Sequence, residues 1–134
     1  MNVRLVNLFR WAGLSDIAAF TLSTLLTEDK PLSLDELSQR MGYAKSHILY
    51  AINLLEKMIL VEKIRGKRRK ILIKANKGVI KKIIKEHLLR LKYILNEILS
   101  DIKDREKRRD FIHEIRSIES EISHLISKLE EINI

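Results

Sequence analysis

Residues 61–75 read VEKIRGKRRKILIKA, and this stretch decides the fold. It holds two short runs, Val61 to Arg65 and Arg69 to Ala75, in which β-branched or apolar residues alternate with charged ones. Alternation with a period of two is typical of β-strands. The residues between the runs begin with Gly66, so the stretch predicts a β-hairpin whose turn the glycine permits.

Two helices are predicted upstream of this hairpin, each from signals at its ends. Ser15 offers an N-cap for a helix with an apolar stripe that reaches Thr27. A capping box formed by Ser33 and Glu36 begins the next helix, and Gly42 ends it.

A third helix is expected to begin near Ala44. Ile48, Ile52 and Leu55 would form its buried side, because they are spaced by four and three residues. Three helices followed by a basic hairpin make a winged helix. The sequence therefore predicts a mainly α fold with a small β-hairpin: an N-terminal helix in residues 1–13, a winged helix-turn-helix domain in 14–76, and a long helical region in 77–134.

The region 77–134 contains two apolar stripes with the spacing of a coiled-coil seam. They differ in phase by one residue and are separated by the charged segment Lys103 to Asp110. One long helix with a locally adjusted supercoil fits this pattern, and so do two helices folded back as a hairpin; the charged segment favours two helices.

Both stripes together hold more apolar surface than the small head can cover. A seam residue contributes roughly 1.5 to 3 kcal/mol when it is fully buried, so an exposed seam would be costly. We therefore expect a homodimer with a coiled-coil tail. The predicted dimerisation residues are Leu88, Leu91, Leu95, Ile98, Ile102, Phe111, Ile115, Ile118, Ile122, Leu125 and Leu129.

The net charge of +8 is confined to one part of the chain. Residues 1–61 hold equal numbers of basic and acidic residues, residues 62–92 hold thirteen basic and two acidic residues, and residues 93–134 carry a small acidic excess. A polyanion would suit this segment. Lys77, Lys81, Lys82 and Lys85 fit two interpretations equally, as an extension of the basic patch or as solubilising groups on a dimer helix.

Several functional classes are disfavoured by the composition. The chain has no cysteine, which excludes disulfides and thiolate chemistry. The four histidines lack ligand-like spacing, and no phosphate-binding glycine loop or catalytic triad pattern is present, so we expect no metal, no cofactor and no enzyme. No long apolar run suggests a membrane span, and we expect a cytoplasmic protein.

The motifs resemble those of the winged helix-turn-helix regulators of the MarR superfamily, with a nearer similarity to archaeal GbsR-like and TrmB-like proteins. The segments that carry the resemblance are GLSD (13–16), PLSLDEL (31–37), GYAKSHI (42–48), LLEK (54–57) and LVEKIRGKR (60–68). The resemblance implies a homodimeric transcription regulator. It also implies that residues 44–58 are a recognition helix and residues 65–69 the tip of a wing.

Three departures from the family pattern are present. Ala44 replaces the Ser or Thr that usually caps the recognition helix, at a cost of roughly 1 kcal/mol. Ile59 replaces the usual glycine after that helix, so a left-handed cap is not expected there. The Asp-x-Arg pattern of many MarR wings is absent.

The predicted DNA contacts lie on the recognition helix and the hairpin. Lys45 and Ser46 suit phosphates or base edges, Tyr50 and Asn53 suit base edges with Asn favouring adenine, and Leu49 suits a thymine methyl. His47 fits either a DNA contact or a partly exposed polar residue. The hairpin contributes cations for phosphates and the minor groove: Lys63, Arg65, Lys67, Arg68, Arg69 and Lys70.

The preferred function is thus a sequence-specific regulator that binds double-stranded DNA as a homodimer. One alternative is a scaffold in which the winged helix and the tail recruit other proteins, motivated by the size of the tail. Another is a chromatin-like protein that coats DNA without sequence preference. The sequence indicates no small-molecule effector.

Overall fold

A computed structural model describes residues 2–133, which form two compact units, the first ending at Val79 and the second beginning at Ile80. The chain is mainly helical with one small sheet, as predicted. The elements are α1 Val3–Trp11, α2 Asp16–Glu28, β1 Leu32–Ser33, α3 Leu34–Met41, α4 Lys45–Lys57, β2 Val61–Arg65, β3 Ile71–Ala75, α5 Val79–Asp101 and α6 Arg109–Glu131.

The sheet has three antiparallel strands in the order β1-β3-β2. The predicted hairpin supplies β2 and β3, with Val61 opposite Ala75 and Arg65 opposite Ile71. Strand β1 was not predicted, because two residues are too short to show alternation. Its Leu32 is fully buried and pairs with Ile73. This pairing joins the hairpin to the segment that precedes α3.

Helix α2 is the centre of the first unit and packs against α1, α3 and α4. The predicted buried side of α4 is confirmed, since Ile48, Ile52 and Leu55 are all 0% exposed. Leu22 of α2 and Leu37 of α3 are equally buried. This core fixes the orientation of α4, and therefore which of its side chains face solvent.

The capping box at the start of α3 forms as predicted. Ser33 Oγ accepts a hydrogen bond from the Glu36 N–H, and Glu36 Oε1 accepts one from the Ser33 N–H, each over 3.1 Å. The bond from the Ser33 backbone lowers the pKa of the Glu36 carboxyl below its ordinary value. At the other end, Gly42 adopts a left-handed conformation (φ 74°) that ends the helix before the turn into α4.

The end of α4 corrects one sequence expectation. Ile59 does adopt the left-handed conformation, with φ 59°. Two backbone hydrogen bonds close a Schellman motif there, from the Leu60 N–H to the Leu55 carbonyl (2.9 Å) and from the Ile59 N–H to the Glu56 carbonyl (3.0 Å). Asn76 Nδ2 donates to the Ile59 carbonyl over 3.0 Å. The buried neighbours Leu60 and Val61 fix the path of the chain and impose this conformation on a β-branched residue.

We expect Ile59→Gly to raise the free energy of unfolding by about 0.5 to 1 kcal/mol. The left-handed region costs an L-residue about 1 to 2 kcal/mol, while glycine forfeits about 0.5 to 1 kcal/mol of chain entropy. Little burial is lost, because Ile59 is 64% exposed. Urea unfolding measures the change. Met58→Gly, at a residue with φ −80°, is the matched control and should destabilise; a similar loss in both variants would contradict the argument.

The second unit consists of two helices joined by residues 102–108, in agreement with the two-helix interpretation. The helices run antiparallel, since the start of α5 meets the end of α6. Lys81 Nζ donates to the Ile132 carbonyl over 2.9 Å, and Lys85 forms an ion pair with Glu130. Among residues 2–133, no helix is both long enough and apolar enough to cross a bilayer.

The predicted dimerisation residues divide into two sets. Ile115 and Ile122 are buried, and Leu88, Leu95, Ile102 and Leu129 are half-buried. The others are exposed to between 37% and 50%: Leu91, Ile98, Phe111, Ile118 and Leu125. Ile102 also lies beyond the end of α5. The buried and half-buried residues contribute to packing within the chain, and dimerisation through the exposed ones stays a prediction.

Candidate nucleic-acid interface

The candidate interface is built on α4, whose outward face lies opposite the buried stripe. A helix turns by about 100° per residue, so residues 46, 50, 53 and 57 project directly away from the core. Ser46, Tyr50, Asn53 and Lys57 are all exposed, with Tyr50 at 67%. Lys57 was missed by the sequence analysis, although it lies three helical turns from Ser46 and the period could have identified it. His47 and Leu49 are exposed on the two flanks of this face.

The N-terminus of α4 carries no side-chain cap. Ala44 is the N-cap residue, and its methyl group cannot accept a hydrogen bond from the first turn. Backbone N–H groups at an uncapped helix start are ready donors for a phosphate. Tyr43 holds the preceding turn, since its carbonyl accepts a 2.7 Å hydrogen bond from Ser38 Oγ.

Lys45, one of the predicted DNA contacts, forms an ion pair with Asp35 at the start of α3. The hydrogen bond from Lys45 lowers the pKa of the Asp35 carboxyl below its ordinary value. Both side chains remain more than half exposed, at 58% and 63%. A phosphate would therefore compete with Asp35 for this lysine.

Lys63 is also engaged within the protein. Its Nζ donates to Asn53 Oδ1 over 2.8 Å and lies 3.4 Å from Glu56 Oε1. Both partners belong to α4, whereas Lys63 lies on β2 opposite the buried Ile73. This contact joins the base of the hairpin to the candidate recognition helix, a role that the sequence analysis did not foresee.

The hairpin tip presents a continuous basic cluster. Within residues 2–133, no acidic side chain forms an ion pair with any member of the cluster, and all five side chains are exposed. The members are Arg65, Lys67, Arg68, Arg69 and Lys70. Lys74 is exposed further down β3, opposite Glu62. Unpaired cations on a narrow hairpin are suited to phosphates and to the minor groove.

The role predicted for Gly66 is wrong in one respect. The left-handed residues of the turn are Arg68 (φ 59°) and Arg69 (φ 62°), while Gly66 has φ −88°. Glycine instead permits a close approach: a Cβ at this position would lie 3.1 Å from Leu72 Cδ1 and 3.2 Å from the Lys70 carbonyl oxygen, so these neighbours would have to shift slightly to admit one. The Gly66 N–H donates to that same oxygen over 2.6 Å, which closes the hairpin.

Two lysines at the start of the second unit are engaged within that unit. Lys81 and Lys85 are engaged by the end of α6, as described above. In the part of the chain that the structure describes, no three His, Asp or Glu side chains lie together in a way that could hold a metal ion.

Comparison with known proteins supports the fold. No protein-family model matches the chain, and neither does any curated protein. A crystal structure of a transcriptional regulator is similar with a TM-score of 0.59 and 15% identity, over 96% of this chain and 95% of that one. The YusO protein from Bacillus subtilis is similar with a TM-score of 0.50 and 20% identity, over 96% and 83% of the two chains.

A third structure, the transcriptional regulator BldR from Sulfolobus solfataricus, is 28% identical over 73% of this chain and 72% of its own, with a TM-score of 0.42. The three-stranded sheet and helix order, together with the first two similarities, place the chain in the winged-helix fold class.

Proposed function

We propose that this protein is a homodimeric transcription regulator of the MarR type that binds double-stranded DNA sequence-specifically. The observation that carries the proposal is the pairing, within one unit, of an exposed polar helix face with an unpaired basic hairpin. Helix α4 has 13 residues, enough to lie in a major groove, and its outward side chains include the base-reading types Ser, Asn and Lys.

The two parts of this surface have different tasks. The hairpin tip, with five exposed cations, supplies phosphate and minor-groove contacts that carry affinity without reading sequence. The outward face of α4 supplies the base contacts. Two cations beside this face are paired within the protein, Lys45 with Asp35 and Lys63 with Glu56, so the face carries less unpaired charge than the hairpin tip and favours discrimination over non-specific attraction.

The homodimer is supported by the exposed apolar side chains of the second unit. On α6 they recur every seven residues, at Phe111, Ile118 and Leu125, with Ile132 directly after the helix. On α5 one exposed stripe comprises Leu91, Ile94 and Ile98, while Leu89 and Tyr93 are exposed on another side of the helix. Viewed along the helix axis, the exposed stripe of each helix lies about 70° to 80° away from the side that faces the other helix. The rotational sense of this offset is the same in both helices. Two antiparallel helices are related by a twofold axis perpendicular to the plane that contains both of them. Equal angular offsets therefore place both exposed stripes on the same face of the helix pair.

An exposed apolar face flanked by charged residues is typical of an interaction surface. A second copy of the chain would cover it with the same face and form a four-helix bundle. A homodimer also presents two α4 helices to DNA, as a two-half-site operator requires.

Selection of bound duplexes from a random library tests the proposal. We expect an enriched motif with two half-sites about 10 base pairs apart, because dimeric helix-turn-helix proteins place their recognition helices one DNA turn apart. Affinity should fall steeply with salt concentration. Binding without enrichment would indicate a DNA-coating protein. Failure to bind duplex at about 50 mM salt, with retention of a specific protein partner, would indicate a scaffold.

A further inference from the structure

We infer that Lys63 is a positioning residue for base recognition: it fixes the orientation of the Asn53 side-chain amide and thereby sets the discrimination at one base pair of each half-site. From the sequence alone, Lys63 is expected among the DNA-contacting cations and Asn53 is expected to read adenine. The inference rests on the proposed function, because it concerns how the same surface reads DNA.

The contact between Lys63 and Asn53 has only one possible hydrogen-bond direction. A lysine ammonium group can donate hydrogen bonds but cannot accept them. The amide atom that faces Lys63 Nζ over 2.8 Å is therefore the carbonyl Oδ1, and the Nδ2 group must point away from it. An exposed asparagine otherwise exchanges between two amide orientations of nearly equal shape. Here a charge-assisted hydrogen bond selects one of them.

Lys63 is held in place by its strand and by a carboxylate of α4. Its backbone lies in β2 opposite Ile73, which is 3% exposed, so the strand is anchored at this residue. Glu56 Oε1 lies 3.4 Å from Nζ and balances its charge. Asn53 and Glu56 are three residues apart and thus adjacent on the surface of α4. Lys63 consequently contacts the helix at two points from a strand that is paired along its length with β3.

The orientation of the Asn53 amide decides whether this residue can recognise adenine. An asparagine reads adenine through two hydrogen bonds, one accepted from N6 and one donated to N7, and this requires a defined orientation of the amide. The carbonyl oxygen has two lone pairs, so Oδ1 can keep Lys63 and still accept from N6. Preorganisation by Lys63 removes the alternative orientation, in which the two ends of the amide would mismatch adenine. The base preference at this position therefore depends on a residue that does not touch the base.

The test is library selection followed by affinity measurements on duplexes that differ at single base pairs. In Lys63→Met we expect discrimination to fall about tenfold at the base pair that Asn53 faces, within the range that a bidentate base contact provides, and to stay unchanged elsewhere. Lys74→Met is the matched control: it removes one charge from the same hairpin at a residue opposite Glu62. This control should lower affinity uniformly for all sequences.

Two further variants keep the result interpretable. Lys63→Arg retains a donor and should restore most of the discrimination, while Glu56→Gln, which weakens the hold on Lys63, should reduce it in part. In the free protein, NMR relaxation of the Asn53 side-chain amide should show greater mobility in Lys63→Met than in Lys74→Met.

The outcomes separate the inference from the proposed function. If Lys63→Met lowers affinity uniformly, as Lys74→Met does, or if the Asn53 amide is equally mobile in both, the positioning role is overturned while sequence-specific binding stands. If the unmodified protein enriches no motif, sequence-specific regulation fails and the positioning role fails with it.

Discussion

Replacing Arg65, Arg68 and Arg69 together with alanine should weaken duplex binding by about a hundredfold or more at ~0.1 M salt. Each phosphate contact contributes about 0.9 to the slope of log affinity against log salt, which amounts to nearly a factor of ten between about 1 M and 0.1 M. The slope should therefore become shallower by about 2 to 3 units. These arginines are exposed and have no acidic partner among residues 2–133, so their loss should not unfold the protein.

The matched control removes three exposed cations from the second unit, Lys103, Arg108 and Lys128. It lowers the net charge equally, so a general electrostatic effect would change both variants alike. We expect the control to change the slope by less than about one unit. Fluorescence anisotropy at several salt concentrations measures both. An unchanged affinity and slope in the arginine variant would exclude the hairpin from the interface.

The second large effect is expected for Ile118→Glu combined with Leu125→Glu. Both residues lie on the exposed apolar stripe of α6, at 43% and 50% exposure. A twofold dimer loses four apolar side chains in this variant. At about 1 to 1.5 kcal/mol for each half-exposed side chain, the dimer dissociation constant should rise by about a thousandfold or more. Sedimentation equilibrium measures this change.

Ser120→Glu combined with Ser127→Glu introduces the same charges into exposed positions on a different face of α6, and it should leave the dimer intact. Helix content should be preserved in both variants, since neither alters the buried Ile115 or Ile122. A dimer of unchanged stability in the Ile118 and Leu125 variant would show that another surface mediates association, or that the chain acts as a monomer.

Much of the fold could be predicted from the sequence because its signals are local. The capping box of Ser33 and Glu36, the buried stripe of α4 and the alternation in β2 and β3 each depend on residues a few positions apart. The charged segment between α5 and α6 likewise indicated the break between two helices. The basic hairpin could be located from charge counts alone, whereas its contact with DNA stays a prediction.

Other features depend on residues that are distant in sequence. Ile59 is left-handed although its residue type disfavours this, because the buried residues that follow α4 direct the chain into β2. Strand β1 exists because β3 offers a free edge to two residues that have no strand pattern of their own. The apolar residues of the second unit follow one coiled-coil spacing, and this spacing does not reveal which of them face the neighbouring helix.

The hairpin of residues 61–75 has features of both kinds, some that follow from adjacent residues and some that depend on distant ones. The two strands and the basic turn of residues 61–75 can be predicted from the sequence, because alternation and charge are properties of adjacent residues. Adjacent residues do not reveal that Lys63 contacts Asn53 and Glu56 of α4. Nor do they reveal that no ion pair forms within residues 2–133 at Arg65, Lys67, Arg68 or Arg69. The reason is physical: a cation is neutralised by the carboxylate that packing brings within a few ångströms, and packing is set by the buried core.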